Sequence, residues 1–263
     1  MKVAICGVGG RMGVAILNII HAKGYELACA FDHEKAPSFG KPAGSLIKNE
    51  EIITPITEIN DSIQDVDGII DFSSPEASIE LLKLAVQFKK PIVIGTTGFS
   101  EEQLAVIEDA TKEIAILRSP NMSIGVNLLF KLVEMASKAL NLDYNIEIFE
   151  SHHKHKKDSP SGTALKLAEI VRDSMEGLKD APYLHGREGT TLERTPQEVG
   201  IHAMRGGDIV GEHTVFFLTE GERIELTHRA TDRNVFAKGV VTSLDFLVKQ
   251  KPGMYNTFDV LGL

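Results

Sequence analysis

The stretch Lys2-Val3-Ala4-Ile5-Cys6-Gly7-Val8-Gly9-Gly10-Arg11-Met12-Gly13 decides how the first half of the chain is read. A short apolar run, Val3 to Cys6, passes straight into a glycine-rich turn. Beyond the turn Met12, Ala15, Ile16 and Ile19 recur at helical spacing. Strand, glycine turn and helix together open a βα unit. The pattern repeats: apolar runs at Glu26 to Phe31, Gly68 to Phe72, Ile92 to Ile94 and Ile114 to Leu117 are mostly separated by helical periods. That alternation predicts an α/β domain whose parallel sheet is buried on both faces. The segment from His33 to Glu51, with Pro37, Gly40, Pro42 and Gly44, reads as a loop.

Glycine at such a turn lets the backbone approach a pyrophosphate lying against the helix N-terminus. The strict GxGxxG spacing fails because Met12 occupies its last glycine position; the spacing that fits is Gly7, Gly10 and Gly13. Asp32 ends the second strand roughly 20 residues beyond Gly13, where a carboxylate accepts hydrogen bonds from adenosine ribose hydroxyls. Gly7, Val8, Gly9, Gly10, Arg11, Met12 and Asp32 are therefore candidates for holding a dinucleotide on a Rossmann-type sheet; the plain alternative is a glycine turn without ligand. Ligands in open α/β sheets lie beyond the carboxyl ends of the strands. The turns Gly95-Thr96-Thr97-Gly98 and Ser119-Pro120-Asn121-Met122 qualify by that rule, with turn chemistry and helix capping as the competing explanation. Asp32 favours NADH, whereas His33, Lys35 and Arg11 stand where the extra phosphate of NADPH would lie, so use of NADH and NADPH alike is expected.

Composition bounds the rest. A chain of 263 residues suits two modest domains. A formal net charge of −9 excludes a general nucleic-acid binder, which needs a basic surface. The 2 cysteines, Cys6 and Cys29, both lie in apolar runs and read as small core residues. No apolar stretch approaches the roughly 20 residues of a membrane span, and Met1 to Cys6 runs directly into structure, so a cytoplasmic protein without membrane partners is expected.

After Asn121 the pattern changes. A long helix over about Gly125 to Leu140 precedes a strand at Asn145 to His152, and a helix opens after Pro160 with Ala164, Leu167, Ala168 and Val171 on one face. Strands near Gly200 to Met204, His213 to Leu218 and Arg223 to Arg229 follow without intervening helices, which predicts an α+β domain with a mixed or antiparallel sheet. We place a dinucleotide-binding domain at 1–122 and a second domain at 123–233. Val235 to Val248 returns to a helical period that either domain can accept.

The second domain holds the richest segment, Glu147-Ile148-Phe149-Glu150-Ser151-His152-His153-Lys154-His155-Lys156-Lys157-Asp158-Ser159-Pro160-Ser161-Gly162-Thr163-Ala164. Three His and three Lys in six residues make a positive island on an acidic chain, which suits an anionic ligand. Strand alternation puts Ile146, Ile148, Glu150 and His152 on one face and His153 on the other. Pro160 to Thr163 reads as a helix start whose amides and hydroxyls can take a carboxylate. Together they suit a small substrate with more than one carboxylate beside groups able to deliver a proton at neutral pH. A metal site from His152, His153 and His155 is set against three repelling lysines and no second ligand cluster, so no metal is expected. A solvated basic loop is the bland reading. No Ser sits on a nucleophile elbow, which argues against a Ser-His hydrolase.

On these residues the sequence resembles the dihydrodipicolinate reductases of bacterial lysine and diaminopimelate synthesis. The signature falls at Glu147, Glu150, His152, His153, Lys156, Asp158 and Pro160 to Ala164. Similarity extends to Gly7 to Gly13, Gly95 to Phe99, Asn121, Gly206-Gly207-Asp208 to His213, and Asp259-Val260-Leu261. The resemblance implies reduction of a cyclic imine dicarboxylate, derived from 4-hydroxy-tetrahydrodipicolinate, to tetrahydrodipicolinate by a nicotinamide coenzyme. By position, it implies coenzyme contacts from Gly7 to Met12, Asp32, Gly95, Thr96, Thr97, Ser119, Pro120, Asn121 and Met122. His152 and Lys156 would be the proton-transfer pair. Thr97, His153, Lys156, Gly162, Thr163 and Arg233 would surround the substrate. It also implies a homotetramer built on the second domain's sheet, and return of 234–263 to the first domain. Some relatives carry Arg after the acidic residue of the second strand, where this chain has His33. Two alternatives stay open: another two-domain NAD(P)-dependent dehydrogenase acting on a different small dicarboxylate, and a dinucleotide-sensing regulatory protein that would not need the His-Lys segment.

Overall fold

A computed structural model describes residues 1–190, 193–232 and 234–263. The chain divides into two compact units, one of Met1–Ile124 with Asn234–Leu263 and one of Gly125–Arg233. The first unit begins with β1 (Lys2–Cys6), α1 (Arg11–Ala22), β2 (Glu26–Phe31), β3 (Ile56–Thr57) and β4 (Gly68–Asp71). It continues with α2 (Pro75–Gln87), β5 (Ile92–Ile94), α3 (Glu101–Ala110) and β6 (Ala115–Arg118). Helix α4 (Ile124–Ala139) leads into β7 (Asn145–His152), α5 (Gly162–Ser174), β8 (Tyr183–His185), β9 (Val199–Arg205), β10 (Gly211–Thr219) and β11 (Glu222–Ala230). Then α6 (Asn234–Leu247), β12 (Gly253–Tyr255) and α7 (Thr257–Leu261) complete the first unit.

The first unit carries a 7-stranded parallel sheet in the order β12-β6-β5-β4-β1-β2-β3. Its direction of winding reverses between β1 and β4, the place where such sheets open a crevice at their carboxyl ends. Alternation along β1 explains why the strand is apolar throughout. Val3 and Ile5 enter a core shared with Ile16 and Ile20 of α1 and Val240 and Leu244 of α6. Ala4 and Cys6 enter a second core with Leu81, Leu82 and Ile107. Each fully buried Leu or Ile contributes roughly 1.5–3 kcal/mol, so these two layers dominate the unit's stability. Within this unit the two strands that sequence pattern does not reveal, β3 and β12, are short edge strands of 2 and 3 residues. They are too short to display a period.

Helix starts differ in an informative way. Ser74 caps α2 through Ala77 N, with Pro75 following, and Ser100 with Gln103 forms a capping box on α3. Helix α1 begins at Gly10 with no side-chain cap. Its first amides are left for something other than the protein's own side chains.

The second unit carries a 5-stranded sheet in the order β11-β10-β7-β9-β8. It is mixed: β11, β10 and β7 run antiparallel, and β7, β9 and β8 parallel. Helix α5 packs against β7, β9 and β10; its Leu167, Ala168 and Val171 are buried, as are Ile146, Ile148, Ile201, Val215 and Phe217 of those strands. The opposite face leaves Phe149 and Met204 exposed, at 38% and 44%.

One packing contact inverts a propensity rule. Gly239 lies inside α6, where exchange for Ala ordinarily stabilises a helix by about 1 kcal/mol. Here an added Cβ would come 1.8 Å from the carbonyl oxygen of Met122. We expect Gly239→Ala to lower the free energy of unfolding by about 1–3 kcal/mol, measured by urea denaturation; a more stable variant would mean that α6 does not press on this turn.

Candidate functional site

In the first unit the turn after β1 is built around glycines that nothing larger can replace. Gly7 has φ +75°, and a Cβ there would lie 2.1 Å from the carbonyl oxygen of Phe72. At Gly13 it would lie 2.2 Å from the carbonyl oxygen of Gly7, so the first turn of α1 folds directly onto the loop. The amides of Gly7 and Val8 bond to Phe31 O at the end of β2. The Asp32 carboxylate, next in sequence, accepts from Gly9 N at 2.9 Å and from His33 N at 2.9 Å. Each oxygen keeps a lone pair for a further donor. A cleft of about 640 Å³ opens here, lined by Gly7, Gly9, Gly10, Asp32, Ser73 and Ser74 among others. Uncapped amides, a glycine loop whose one side chain, Val8, is buried in the core, and an acceptor at the end of β2 fit a dinucleotide. The cleft wall also carries Glu34, Glu58 and Glu80, and His33 is its single residue able to become positive among the described residues. Arg11 and Lys35 are exposed and do not line it.

The later turns divide their labour. Thr97 is exposed, whereas Thr96 is buried and its hydroxyl points inward, donating to Asp71 Oδ2 at 2.9 Å. Ser119 Oγ donates to Asn121 O at 2.9 Å, and Asn121 Oδ1 accepts from Ser123 N at 2.9 Å. Pro120 is exposed, and the Met122 side chain is part of the core shared with α1 and α6. Thr96 and Met122 thus offer a ligand only their backbone.

In the second unit the centre of the arrangement is Glu150, which strand alternation on β7 turns inward and leaves fully buried. Arg205, at the end of β9, grips both of its oxygens with Nη1 and Nη2 at 2.8 Å each. His152 Nδ1 lies 2.6 Å from Oε2, and Ser161 N donates to Oε1 at 3.0 Å. Burial alone would raise the Glu150 carboxyl; Arg205, His152 and the Ser161 amide together hold it below its ordinary value. An ionised carboxylate only accepts, so Nδ1 of His152 carries a proton and Nε2 is left for chemistry. Nε2 faces Gly211, where an added Cβ would stand 3.0 Å away. Burial lowers the His152 pKa, outweighing Glu150, and the positive charges of Lys156 and Arg205 act in the same direction.

Around this centre, Arg205 Nη2 also reaches Asp158 O at 2.6 Å, and the Asp158 carboxylate holds Lys156 Nζ at 2.7 Å. A line of alternating charge therefore runs Glu150, Arg205, Asp158, Lys156. His153 lies beyond the strand, half-buried, its ring 6.2 Å from that of His155. Gly162 is exposed with open space beside it, and Thr163 follows in the first turn of α5. The Ser161 hydroxyl caps α5 through Ala164 N and meets His213 Nε2 at 3.0 Å. Arg233 lies outside the described residues. Among the described residues no group of His, Cys, Asp and Glu gathers as a metal site, and no helix is long and apolar enough to cross a membrane.

Sequence reasoning passed over Arg205 and His213 as site residues. Glu150 was on the right face two residues before His152, a readable signal for a paired carboxylate. Arg205 becomes its partner only through the parallel register that sets His152 beside Arg205.

Family comparison bears on both units. The model described as dihydrodipicolinate reductase, N-terminus, matches residues 1–122, and that described as dihydrodipicolinate reductase, C-terminus, matches residues 125–261. The chain belongs to the dihydrodipicolinate reductase family. It is 45% identical over 271 residues to the 4-hydroxy-tetrahydrodipicolinate reductase of Methanocaldococcus jannaschii, covering 100% of this chain and 98% of that one. It is 42% identical over 265 residues to the corresponding reductase of Syntrophotalea carbinolica, covering 100% and 99%. Among solved structures it resembles the dipicolinate-bound dihydrodipicolinate reductase from Paenisporosarcina sp. TG-14, with a TM-score of 0.76, 27% identity and 98% of each chain covered.

In this family member the buried imidazole of His213 has a consequence for stability. Burial, then the nearby His152, depresses its pKa from 6.5 to about 3. The unfolded chain therefore binds this proton more readily than the folded one. The contribution is complete above pH 6.5 and is lost as pH falls toward 3. We expect wild type to lose up to about 1.4 kcal/mol of unfolding free energy per pH unit more than His213→Gln between about pH 6 and about pH 4. Equal slopes in urea denaturation of the two proteins would contradict a neutral His213.

Proposed function

We propose that the chain reduces the cyclic imine dicarboxylate derived from 4-hydroxy-tetrahydrodipicolinate to tetrahydrodipicolinate, using NADH or NADPH, within diaminopimelate and lysine synthesis. The observation that carries this reading is the buried Glu150 holding Nδ1 of His152, because it prepares one imidazole nitrogen for proton transfer beside a cluster of lysines. The first unit supplies the coenzyme site, with Gly7 to Met12 at the pyrophosphate and Asp32 at the adenosine ribose. When bound, the nicotinamide supplies the hydride. The substrate ring then holds an electron pair that a proton must quench: either Lys156 Nζ gives its own proton, or His152 Nε2, bare in the resting protein, first takes one up from solvent and then passes it on. A cation beside the ring stabilises this charge more than it stabilises the substrate. Lys156 also counters a substrate carboxylate, as do His153 and the first amides of α5 at Gly162 and Thr163. Thr97 and Arg233 complete the substrate contacts in this reading.

Both coenzymes belong to the proposal. The carboxylate of Asp32 and the acidic wall of the cleft favour an unphosphorylated ribose, and His33 on the same wall is the side chain that would face the extra phosphate of the phosphorylated one. Assembly as a homotetramer through the second unit's sheet is supported by the exposed Phe149 and Met204 on its uncovered face. A thiol-dependent dehydrogenase is disfavoured, since burial pushes the Cys6 thiol up to about 12 and Cys29 is buried too.

The test is a coupled assay in which the upstream synthase generates substrate and loss of reduced nicotinamide is followed. Wild type should oxidise the coenzyme only when substrate is supplied. His152→Ala should lower kcat by about 10²- to 10⁴-fold with little change in KM. Lys156→Ala should lower kcat and raise the KM for the dicarboxylate together, and coenzyme affinity should hold in both variants. Near-native turnover in His152→Ala removes its role as proton donor, and an inactive wild type removes the reading.

A further inference from the structure

Asp71 ends β4, the strand at the centre of the first unit's sheet, and is fully buried. A carboxylate in such a place is costly unless its lone pairs are filled. They are filled by three hydroxyls: Ser73 Oγ donates to Oδ1 at 2.5 Å, and Thr96 Oγ1 at 2.9 Å and Ser78 Oγ donate to Oδ2. Thr96 spends its one proton on Asp71, and its oxygen accepts Ser73 N at 3.0 Å. The bonds close a ring that runs from Asp71 to Thr96, to Ser73 and back. That ring ties the turn after β4 to the turn after β5. Burial raises the Asp71 carboxyl, and the hydroxyl protons act in the opposite direction.

The position of the ring is what gives it significance. Ser73 and Ser74 stand on the wall of the cleft beside Gly7 and Gly10, while Asp71 stands behind that wall and does not line it. Phe72, between them, has its carbonyl against Gly7 and its amide bonded to Cys6 O at 3.0 Å. A shift of Ser73 would therefore move the pyrophosphate turn as well as the wall facing it. The proposed reaction makes no use of a buried acid here, and a purely apolar strand end would pack at least as well as this carboxylate and its hydroxyls. We propose that Asp71, acting through Thr96 and Ser73, is a positioning residue for the coenzyme, holding the turns after β4 and β5 in the form the dinucleotide binds. The inference rests on the dinucleotide reading given above.

Thr96→Val keeps the side-chain shape and removes both the donor to Asp71 and the acceptor for Ser73 N. Thr96→Ser keeps both. Direct titration with NADH should show Thr96→Val binding about tenfold more weakly than wild type, with Thr96→Ser restored to within about threefold. Asp71→Asn, which cannot accept three hydroxyls as the carboxylate does, should weaken binding at least as much as Thr96→Val, and the KM for the dicarboxylate should stay unchanged in all folded variants. A merely structural role would lower the melting temperature and leave the coenzyme Kd of the folded protein unmoved. Native affinity in Thr96→Val, or Thr96→Ser binding no better than Thr96→Val, overturns the inference even if Asp71→Asn fails to fold. Wild type failing to bind either NADH or NADPH overturns it differently, by removing the dinucleotide reading on which it rests.

Discussion

A buried carboxylate with every oxygen engaged governs the second unit. Glu150 receives two bonds from Arg205, one from His152 and one from the amide of Ser161. Removing one partner of such a buried pair typically costs about 3–5 kcal/mol, because the remaining charge is left without compensation. The same bonds fix relations that packing alone would leave loose: β7 against β9, the start of α5 against β7, and one ring orientation for His152. The loop 153–160 inherits its place from this arrangement, since Arg205 also holds Asp158 O and Asp158 holds Lys156. The bonds that stabilise this unit are therefore the same ones that orient the proposed proton-transfer residues.

The first unit solves a related problem with backbone instead of side chains. The turn after β1, which the proposed dinucleotide site sets against a phosphate, is built from glycines and an uncapped helix start, and carries little that could stabilise itself. Support comes from behind: Phe31 O, the Asp32 carboxylate, and the hydroxyl ring around Asp71. Glu150 and Asp71 are thus buried polar anchors, each standing behind the residues proposed to meet a small molecule.

Much of this was legible in the chain itself, for reasons that differ from residue to residue. The parallel sheet showed because strands buried on both faces are apolar throughout, as Val3 to Cys6 are. The glycine turn showed because its residues are contiguous, and the inward placement of Glu150 and His152 followed from a period of two. What stayed hidden depends on register or on competition for a hydroxyl. Arg205 is 55 residues from Glu150, and only the pairing of β7 with β9 brings them together. Ser161 and Thr96 looked like ligand donors, yet each turns its hydroxyl to the protein, Ser161 to cap α5 and Thr96 to bond with Asp71. Short local motifs announce that a hydroxyl is present without saying which acceptor wins it.

The claim on which the rest turns is that Glu150 and Arg205 fix His152 as the Nδ1-protonated tautomer, with Nε2 left bare. Nitrogen-15 NMR of the imidazole rings distinguishes that tautomer from the alternative and from the imidazolium. In the free wild-type protein at neutral pH, His152 should give a protonated Nδ1 and an unprotonated Nε2, and Glu150→Gln should lose that single tautomer. A proton on Nε2 with Nδ1 bare, or a His152 spectrum unchanged by Glu150→Gln, would contradict it.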